Sequence, residues 1–440
     1  MTVTTQPVVT RRGEPAYEEA LRAAVWQARK PQRFPDAIVR TSTSEHVLVT
    51  VREAIANRQR VSVRTGGHNF HGLAVPDGGV LIDASGLDTL SVDAASRTAV
   101  AGPGVTGLRL SDALDEHGLA FPAPHDHSVA LGGFLLAGGF GLNAGAWGPA
   151  CFSVEAIDVV TASGDLIVAS EHGHADYLWA ARGAGALFPG VVTGFRLALR
   201  PRPAIVRLHT YVYSANELPG LSRHLAAVLP DLDPAIEAVV VLAPGRVVVR
   251  VCAWAADVAE AAAIVESFEI YGKDRVLHRQ VLEPRSLVEL TAMLYPPQAR
   301  LRPEDRRAVD AFWTDAPIDE VLPALSDCLE RAPSQDSRVL TVLHSRPATR
   351  GPDAVFSMCA PLNVEPSAVW SDPAHDDVNL DWSAAANAIA ARYAVGHYVA
   401  SADLTVDPSR VARCFGGREW ERLREFRRAV DPDALFHSLP

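Results

Sequence analysis

Cysteine is scarce in this chain. Five residues stand at positions 151, 252, 328, 359 and 414, and no two form a C-x-x-C pair. An odd, scattered set argues against a disulfide framework and a structural zinc finger, and it fits a reducing, cytoplasmic setting. A basic excess is missing too: Lys+Arg is 41 against Asp+Glu 52, a formal net charge of −11. That balance argues against nucleic acid and against an anionic membrane surface as partners. The first residues hold no basic stretch followed by a long apolar core, so no secretory signal is expected. Lysine is scarce while alanine and arginine are abundant, a bias that goes with GC-rich bacterial genes. What remains is a folded composition: 440 residues, 48% hydrophobic and 21% charged. Such a length holds roughly two to four domains' worth of chain.

Charge is absent altogether from 128 to 153, a stretch long enough to span a bilayer. Its seven glycines, with Asn143 and Pro149, make it a poor continuous helix. The better reading is buried backbone that something must approach closely.

Helices are predicted at 17–29 and 41–56, the second with Ser44 as N-cap, and at 107–118. Strands are predicted at 60–64, 80–84, 154–161, 166–170 and 190–199, with a hairpin formed by 91–93 and 98–101. A helix begins at 176–181. The alternation is irregular, so the class is α+β rather than regular βαβ. Arg200-Pro-Arg-Pro203 is a rigid polar joint and the expected domain boundary. Beyond it, strands are predicted at 205–213, 238–242, 246–254, 338–343 and 362–370. Helices are predicted at 216–229, 257–267, 303–313 and 317–331, a surface loop at 347–353, and a charged helical tail at 407–440.

Glycine clusters carry the chemistry. Arg64-Thr65-Gly66-Gly67-His68-Asn69 follows a strand, where consecutive glycines let backbone N–H groups converge on an anion. Arg64 adds a cation; a tight turn is the plainer reading of the same residues. Gly102-Pro103-Gly104-Val105-Thr106-Gly107 fits G-x-G-x-x-G, but no regular βαβ unit surrounds it, so a nicotinamide Rossmann domain fits poorly. Gly132-Gly133 with Gly138-Gly139-Phe140-Gly141, and Arg182-Gly183-Ala184-Gly185 with Gly190, complete the set. So many clusters point to a long cofactor threaded against backbone. His125-Asp126-His127 and the pair His172 and His174 each put two histidines on one side of an extended segment but lack a third ligand, so no metal is expected. No G-x-S-x-G elbow supports a serine hydrolase.

Taken together, RTGGHNFHGL at 64–73, GGVLIDASGLDTLSVD at 78–93, AGPGVTG at 101–107, LGGFLLAGGFG at 131–141, VEAIDVVTASGDL at 154–166 and DYLWAARGAGALFPGVVTGFRLAL at 176–199 resemble the FAD-linked oxidases with a p-cresol methylhydroxylase-type flavin domain. The subgroup is the berberine-bridge-enzyme-like and 6-hydroxy-D-nicotine-oxidase-like one. HYVASADL at 397–404 and the segment 414–440 match its closing part, and the middle third matches only in outline. The resemblance implies a flavin domain of 1–202 completed by 406–440, and a substrate domain of 203–405 that lays an antiparallel sheet over the flavin ring. It implies FAD, held by Arg64, Thr65, Gly66, Gly67, His68, Asn69, Gly102, Gly104, Val129, Gly132, Gly133, Gly138, Gly139, Gly141, Val192 and Tyr398. His68 stands where the family carries its covalent flavin link. Such a link prevents flavin loss and tends to raise the flavin's potential.

Doubly linked members carry a cysteine where this chain has Asp126, so a single bond at His68 is expected. Phe134 replaces a polar histidine of those members, and Ala400 an asparagine. The resemblance puts Phe70, Trp147, Asn363, Glu365 and Tyr398 in the substrate pocket. Glu365 is the first candidate for general base, because a carboxylate over an apolar flavin face has a raised pKa. Tyr398 is the second. The activity implied is a two-electron oxidation of a small secondary metabolite, with dioxygen as electron acceptor and hydrogen peroxide as product. Non-redox cyclisation, cycloaddition or elimination, and a dehydrogenase that reacts poorly with dioxygen, remain as alternatives. A monomer or homodimer is expected.

Overall fold

The run Val80–Asp83 is Val-Leu-Ile-Asp, buried throughout, which suits a strand covered on both faces, while Val61–Arg64 alternates apolar and polar residues. A computed structural model describes residues 6–268, 270–294, 302, 304–344 and 351–437. In it these strands pair in parallel, with Val80–Asp83 also parallel to Ala37–Arg40, and Val8–Arg11 closes the far edge antiparallel. Helix Ser44–Ala56 makes the crossover, and Thr43, not Ser44, is its N-cap, accepting the N–H of His46 on its side chain. One residue decides it: Thr43 keeps the extended backbone a cap needs, whereas Ser44 has already turned helical. The entry helix is short, Tyr17–Ala23.

A second sheet of five antiparallel strands follows: Leu90–Asp93, Thr98–Ala101, Val191–Ala198, Val154–Val160 and Leu166–Ser170. Helices Gly107–Asp115 and Ala175–Ala181 help cover it, and one apolar core joins them. The C-terminal helix Gly417–Val430 returns to this half of the molecule. Leu423 enters its core, and Phe436 bridges in parallel to Val61.

The third sheet has nine strands among the described residues. Its centre runs Ile205–Ser214, Arg246–Ala255, Ile236–Ala243, Arg338–Leu343 and Leu362–Trp370, all antiparallel. Period-two alternation sends Ala238, Val240, Leu242, Val247, Val249 and Val364 into a core under helices Leu218–Val228, Ile318–Leu329 and Asp376–Ala391. The opposite face looks back at the first half of the molecule. The joint at 200–203 is pinned there: Arg200–Pro201 pairs with Leu119–Ala120, and Arg202 meets Asp115 at 2.7 Å. Asp115 also accepts the N–H groups of Leu287 and Val288 at the start of helix Leu287–Leu294.

Of the helix expected at 303–313, residue 303 lies outside the described residues, and 304–313 are not helical. Arg306–Val309 and Phe312–Thr314 are strands, paired with Leu362–Trp370. Pairing across the sheet buries Trp313 completely, and that non-local gain overrides the local helical reading. Helix Asp376–Ala391, strand His278–Leu282 and helix Leu287–Leu294 were not anticipated. Of the loop expected at 347–353, residues 347–350 lie outside the described residues. The class is α+β, as the irregular alternation predicted.

Candidate active site

Strand Val61–Arg64 delivers Thr65-Gly66-Gly67-His68 to a cavity of about 310 Å³ at its carboxyl end. Gly67 has φ +69°, and a Cβ there would lie 2.5 Å from the carbonyl oxygen of Ala24, so only glycine lets the loop pack against that turn. Across the cavity stands helix Leu131–Leu136. A Cβ on Gly132 would lie 2.7 Å from Cγ2 of Thr65, so loop and helix touch backbone to side chain. Gly133 differs: its Cβ position has only Thr65 Oγ1 within 4.0 Å, and it opens on the cavity.

Arg64, Thr65, Gly66, Gly67, His68, Asn69, Val129, Gly132, Gly133 and Val192 all line this cavity. Arg64 is not a free cation, since its guanidinium pairs with Asp83 at 2.9 Å. Asn69 holds the loop: its side chain donates to the carbonyl of Ala400 and accepts the N–H groups of His71 and Leu73. Of the other motif glycines, Gly185 and Gly190 also line this cavity, while five do other work. Gly102 and Gly104 let their turn nest on the loop 85–88, where a Cβ would lie 2.1 and 2.3 Å from the carbonyl oxygens of Leu87 and Ser85. Pro103, between them, is the residue that reaches the cavity wall. Gly138 gives room to Phe356, Gly139 to Phe134, and Gly141 to the backbone of Pro122 and Ala123. None of these five glycines lines the cavity.

His68 stacks on Trp26, with centroids 5.5 Å apart, and its Nε2 lies 3.1 Å from Oγ of Ser128. Burial lowers its pKa, against the pull of Asp126 and of the Ser128 backbone, so the imidazole is neutral near neutral pH. Sequence reading did not single out Trp26 or Ser128, because neither sits in a motif.

A second cavity, of about 530 Å³, shares Phe70, Val129, Phe134, Ala400 and Ser401 with the first, so the two adjoin. Its far wall is the open face of the nine-stranded sheet. Asn363, Glu365 and Ser367 line it from one strand, Arg338, Leu340 and Val342 from the next, and Val239 and Val241 from the third. Alternation alone puts all of them on one face.

Glu365 sits opposite Leu340 in the ladder. Burial raises its carboxyl to about 7; a hydrogen bond with Ser401 and the charge of Arg338 oppose this, and Asp310 adds to it. Tyr398 also lines the cavity, but its hydroxyl accepts the N–H of Gly139 at 3.1 Å and its ring packs on Phe140 and Trp313. Burial pushes its pKa up, which makes the phenolate hard to form. Phe70 and Asn363 line the cavity. Trp147 does not: the short turn Ala144–Trp147 directs it onto the core residue Trp254, centroids 5.6 Å apart, where it is half-buried.

The histidines of His125-Asp126-His127 diverge. His125 pairs with Glu237 at the cavity, and His127 meets Thr291. Burial opposes the charge on His125, but Glu237 outweighs it and the pKa is raised. His344, nearby, is lowered to about 4 by burial. Among the described residues no three His, Cys, Asp or Glu side chains are grouped to hold a metal ion, and no helix is long and apolar enough to cross a membrane.

The first cavity fits a dinucleotide cofactor. Its wall is largely backbone and small side chains, Gly133 leaves open the space a Cβ would fill, and a neutral imidazole stands at its edge. Comparisons with known proteins agree. The family model for an FAD binding domain matches residues 35–170. The FAD-linked oxidoreductase penO of Penicillium crustosum is 31% identical over 387 residues, 83% of this chain and 82% of that protein. The FAD-linked oxidoreductase janO of Penicillium janthinellum is 35% identical over 238 residues, and that match spans about half of each chain, 54% and 53%. The (R)-6-hydroxynicotine oxidase of Paenarthrobacter nicotinovorans is 34% identical over 212 residues, 48% of this chain and 46% of that protein. Among solved structures, the 6-hydroxy-D-nicotine oxidase of Arthrobacter nicotinovorans superposes with a TM-score of 0.86 at 24% identity, covering 98% of this chain and 97% of that one. Physcomitrella patens BBE-like 1 does so with 0.86 at 20%, covering 99% and 97%. At such identities the likeness is one of fold.

Proposed function

This chain belongs to the FAD-linked oxidoreductases, and on that premise we propose that it is an oxidase of a small, largely apolar organic substrate, with FAD bound covalently through His68 alone. The observation that carries the reading is the pair of adjoining cavities. One is lined by the glycine loop and His68, and the other presents a carboxyl raised to about 7 on its sheet wall.

When bound, FAD supplies a two-electron acceptor for a hydride from substrate carbon, and dioxygen can reoxidise it to give hydrogen peroxide. Thr65, Gly66, Gly67, His68, Gly132 and Gly133 would hold it. Glu365 takes the proton from the substrate's O–H or N–H; a base with a pKa near the working pH is best suited to that transfer. Ser401 orients the carboxyl by its hydrogen bond. Val239, Val241, Leu340 and Val342 exclude water and favour an apolar body, while Asn363 and Arg338 offer polar contacts. A cavity of about 530 Å³ suits a small or mid-sized metabolite, of the kind natural-product pathways handle.

The test mixes purified protein anaerobically with panels of alcohols, amines, phenols and sugars, and then admits air. Bleaching of the flavin followed by peroxide supports an oxidase. Bleaching without peroxide on aeration selects a dehydrogenase, and turnover without bleaching selects a non-redox reaction. Acid denaturation of the same protein should leave the flavin attached in wild type and release it from His68→Ala.

A further inference from the structure

Position 126, where doubly linked relatives would carry a second attachment, holds an aspartate with a defined set of bonds. The Asp126 carboxylate accepts the backbone N–H of Ser128 at 2.8 Å and the Ser128 hydroxyl at 2.6 Å. Oγ of Ser128 then lies 3.1 Å from Nε2 of His68. A serine hydroxyl has one proton. Here it is committed to Asp126, so Oγ accepts from His68, and Nε2 must be the nitrogen that carries the hydrogen. Nδ1 is left with the lone pair. Stacking on Trp26 fixes the ring plane, and burial keeps the ring neutral.

Resting on the covalent attachment proposed above, we infer that Asp126 and Ser128 are a proton relay that sets the tautomer of His68 and makes Nδ1 the nitrogen that bonds the flavin. Attachment joins Nδ1 to the methyl carbon at position 8 of the ring and breaks one C–H bond of that methyl. Alkylated at Nδ1, the imidazole would be left a cation buried beside Trp26. The relay removes that charge: the Nε2 proton passes to Oγ of Ser128 as the serine proton passes to Asp126 and on to solvent. The two electrons of the broken C–H bond enter the ring system. Dioxygen takes them with two protons, one from the methyl and one from Nε2, and leaves as hydrogen peroxide. Asp126 and Ser128 are positioning residues in this scheme, since both act through His68.

The experiment compares full-length wild type, Ser128→Ala, Ser128→Thr and Asp126→Asn. Flavin absorbance before denaturation reads total FAD bound, and intact mass after denaturation, followed over time with added FAD, reads the covalent fraction. Ser128→Ala should still bind FAD but form the bond on the order of 10²-fold more slowly, the scale of one lost proton-transfer partner. Ser128→Thr, which keeps the hydroxyl, should restore the rate. Asp126→Asn, which keeps an acceptor for Ser128 but loses the charge, should be slow as well. NMR of the proteolytic flavin peptide from wild type should show the bond at Nδ1. Ser128→Ala or Asp126→Asn linking as fast as wild type, or a bond at Nε2, overturns the relay while leaving the attachment standing. A wild type without covalent flavin overturns the attachment itself.

Discussion

Glu365 and Tyr398 line one cavity and differ in what burial does to each. The carboxyl is lifted to about 7, into the range where it exchanges a proton, whereas the phenol is lifted away from it and already accepts a backbone N–H. Glu365→Gln is therefore expected to slow anaerobic flavin reduction on the order of 10²-fold, read by stopped-flow absorbance. The wild-type reduction rate should rise with pH through about 7, as the carboxylate forms, and the variant should lose that rise. Stability follows the opposite course. The folded chain holds this proton more tightly than the unfolded chain, whose carboxyl titrates near 4.5. The contribution is complete below that value and is lost as pH rises through about 7. The Tm of Glu365→Gln relative to wild type should accordingly be higher at pH 8 than at pH 5. Tyr398→Phe should cost about 1 kcal/mol of stability for the lost hydrogen bond. Its reduction rate should stay close to wild type; a loss as deep as that of Glu365→Gln would move the base role to Tyr398.

Helix Leu131–Leu136 places two adjacent glycines in opposite situations. A Cβ on Gly132 would collide with Thr65 and Pro103, while one on Gly133 would meet open space at the cavity. Gly132→Ala should lower both thermal stability and FAD content. Gly133→Ala should leave the flavin-free protein as stable or about 1 kcal/mol more stable, from helix propensity, and still reduce bound FAD per chain. Absorbance-derived FAD stoichiometry beside Tm separates the two. Equal FAD content in Gly133→Ala and wild type would mean that the cofactor does not lie against this helix. The strand Leu362–Trp370 shows the same economy, since one face supplies core and the other supplies Asn363, Glu365 and Ser367. A one-residue slip of that strand would turn its polar residues into the core.

Across the whole molecule, the first cavity is closed by parts distant in the chain. Phe436 and His437 line it beside Val61, nearly four hundred residues away, and Val399 to Ser401 approach from the substrate side. Phe436 is almost fully buried, so Phe436→Ala should cost about 3–5 kcal/mol. The variant is expected to lose FAD on gel filtration if the covalent bond is also removed by His68→Ala. Retention of FAD in that double variant would mean that the C-terminal segment only packs and does not hold the cofactor site together.

Part of the fold and of the candidate site is legible in the sequence. The loop Arg64–Asn69 allows close backbone approach through its two glycines, but taken alone it reads as well as a tight turn, and only together with the other glycine clusters does it point to a cofactor. The strands at 338–343 and 362–370 follow from alternation, which also puts Asn363 and Glu365 on one face. The destination of each glycine was not legible. Gly102, Gly104, Gly138, Gly139 and Gly141 avoid a clash with protein backbone or a ring, while Gly133 leaves room on the cavity wall, and a missing side chain looks the same in both cases. Trp147 and the segment 304–313 were decided by partners far along the chain, Trp254 and strand Leu362–Trp370. Local sequence thus determined the glycine loop, the sheet and its faces, because those depend on neighbouring residues and on period. Only the tertiary structure decided which residues meet: Ser128 and Asp126 on His68, Ser401 on Glu365, and Phe436 on Val61. Those contacts join segments whose spacing along the chain carries no periodic signal.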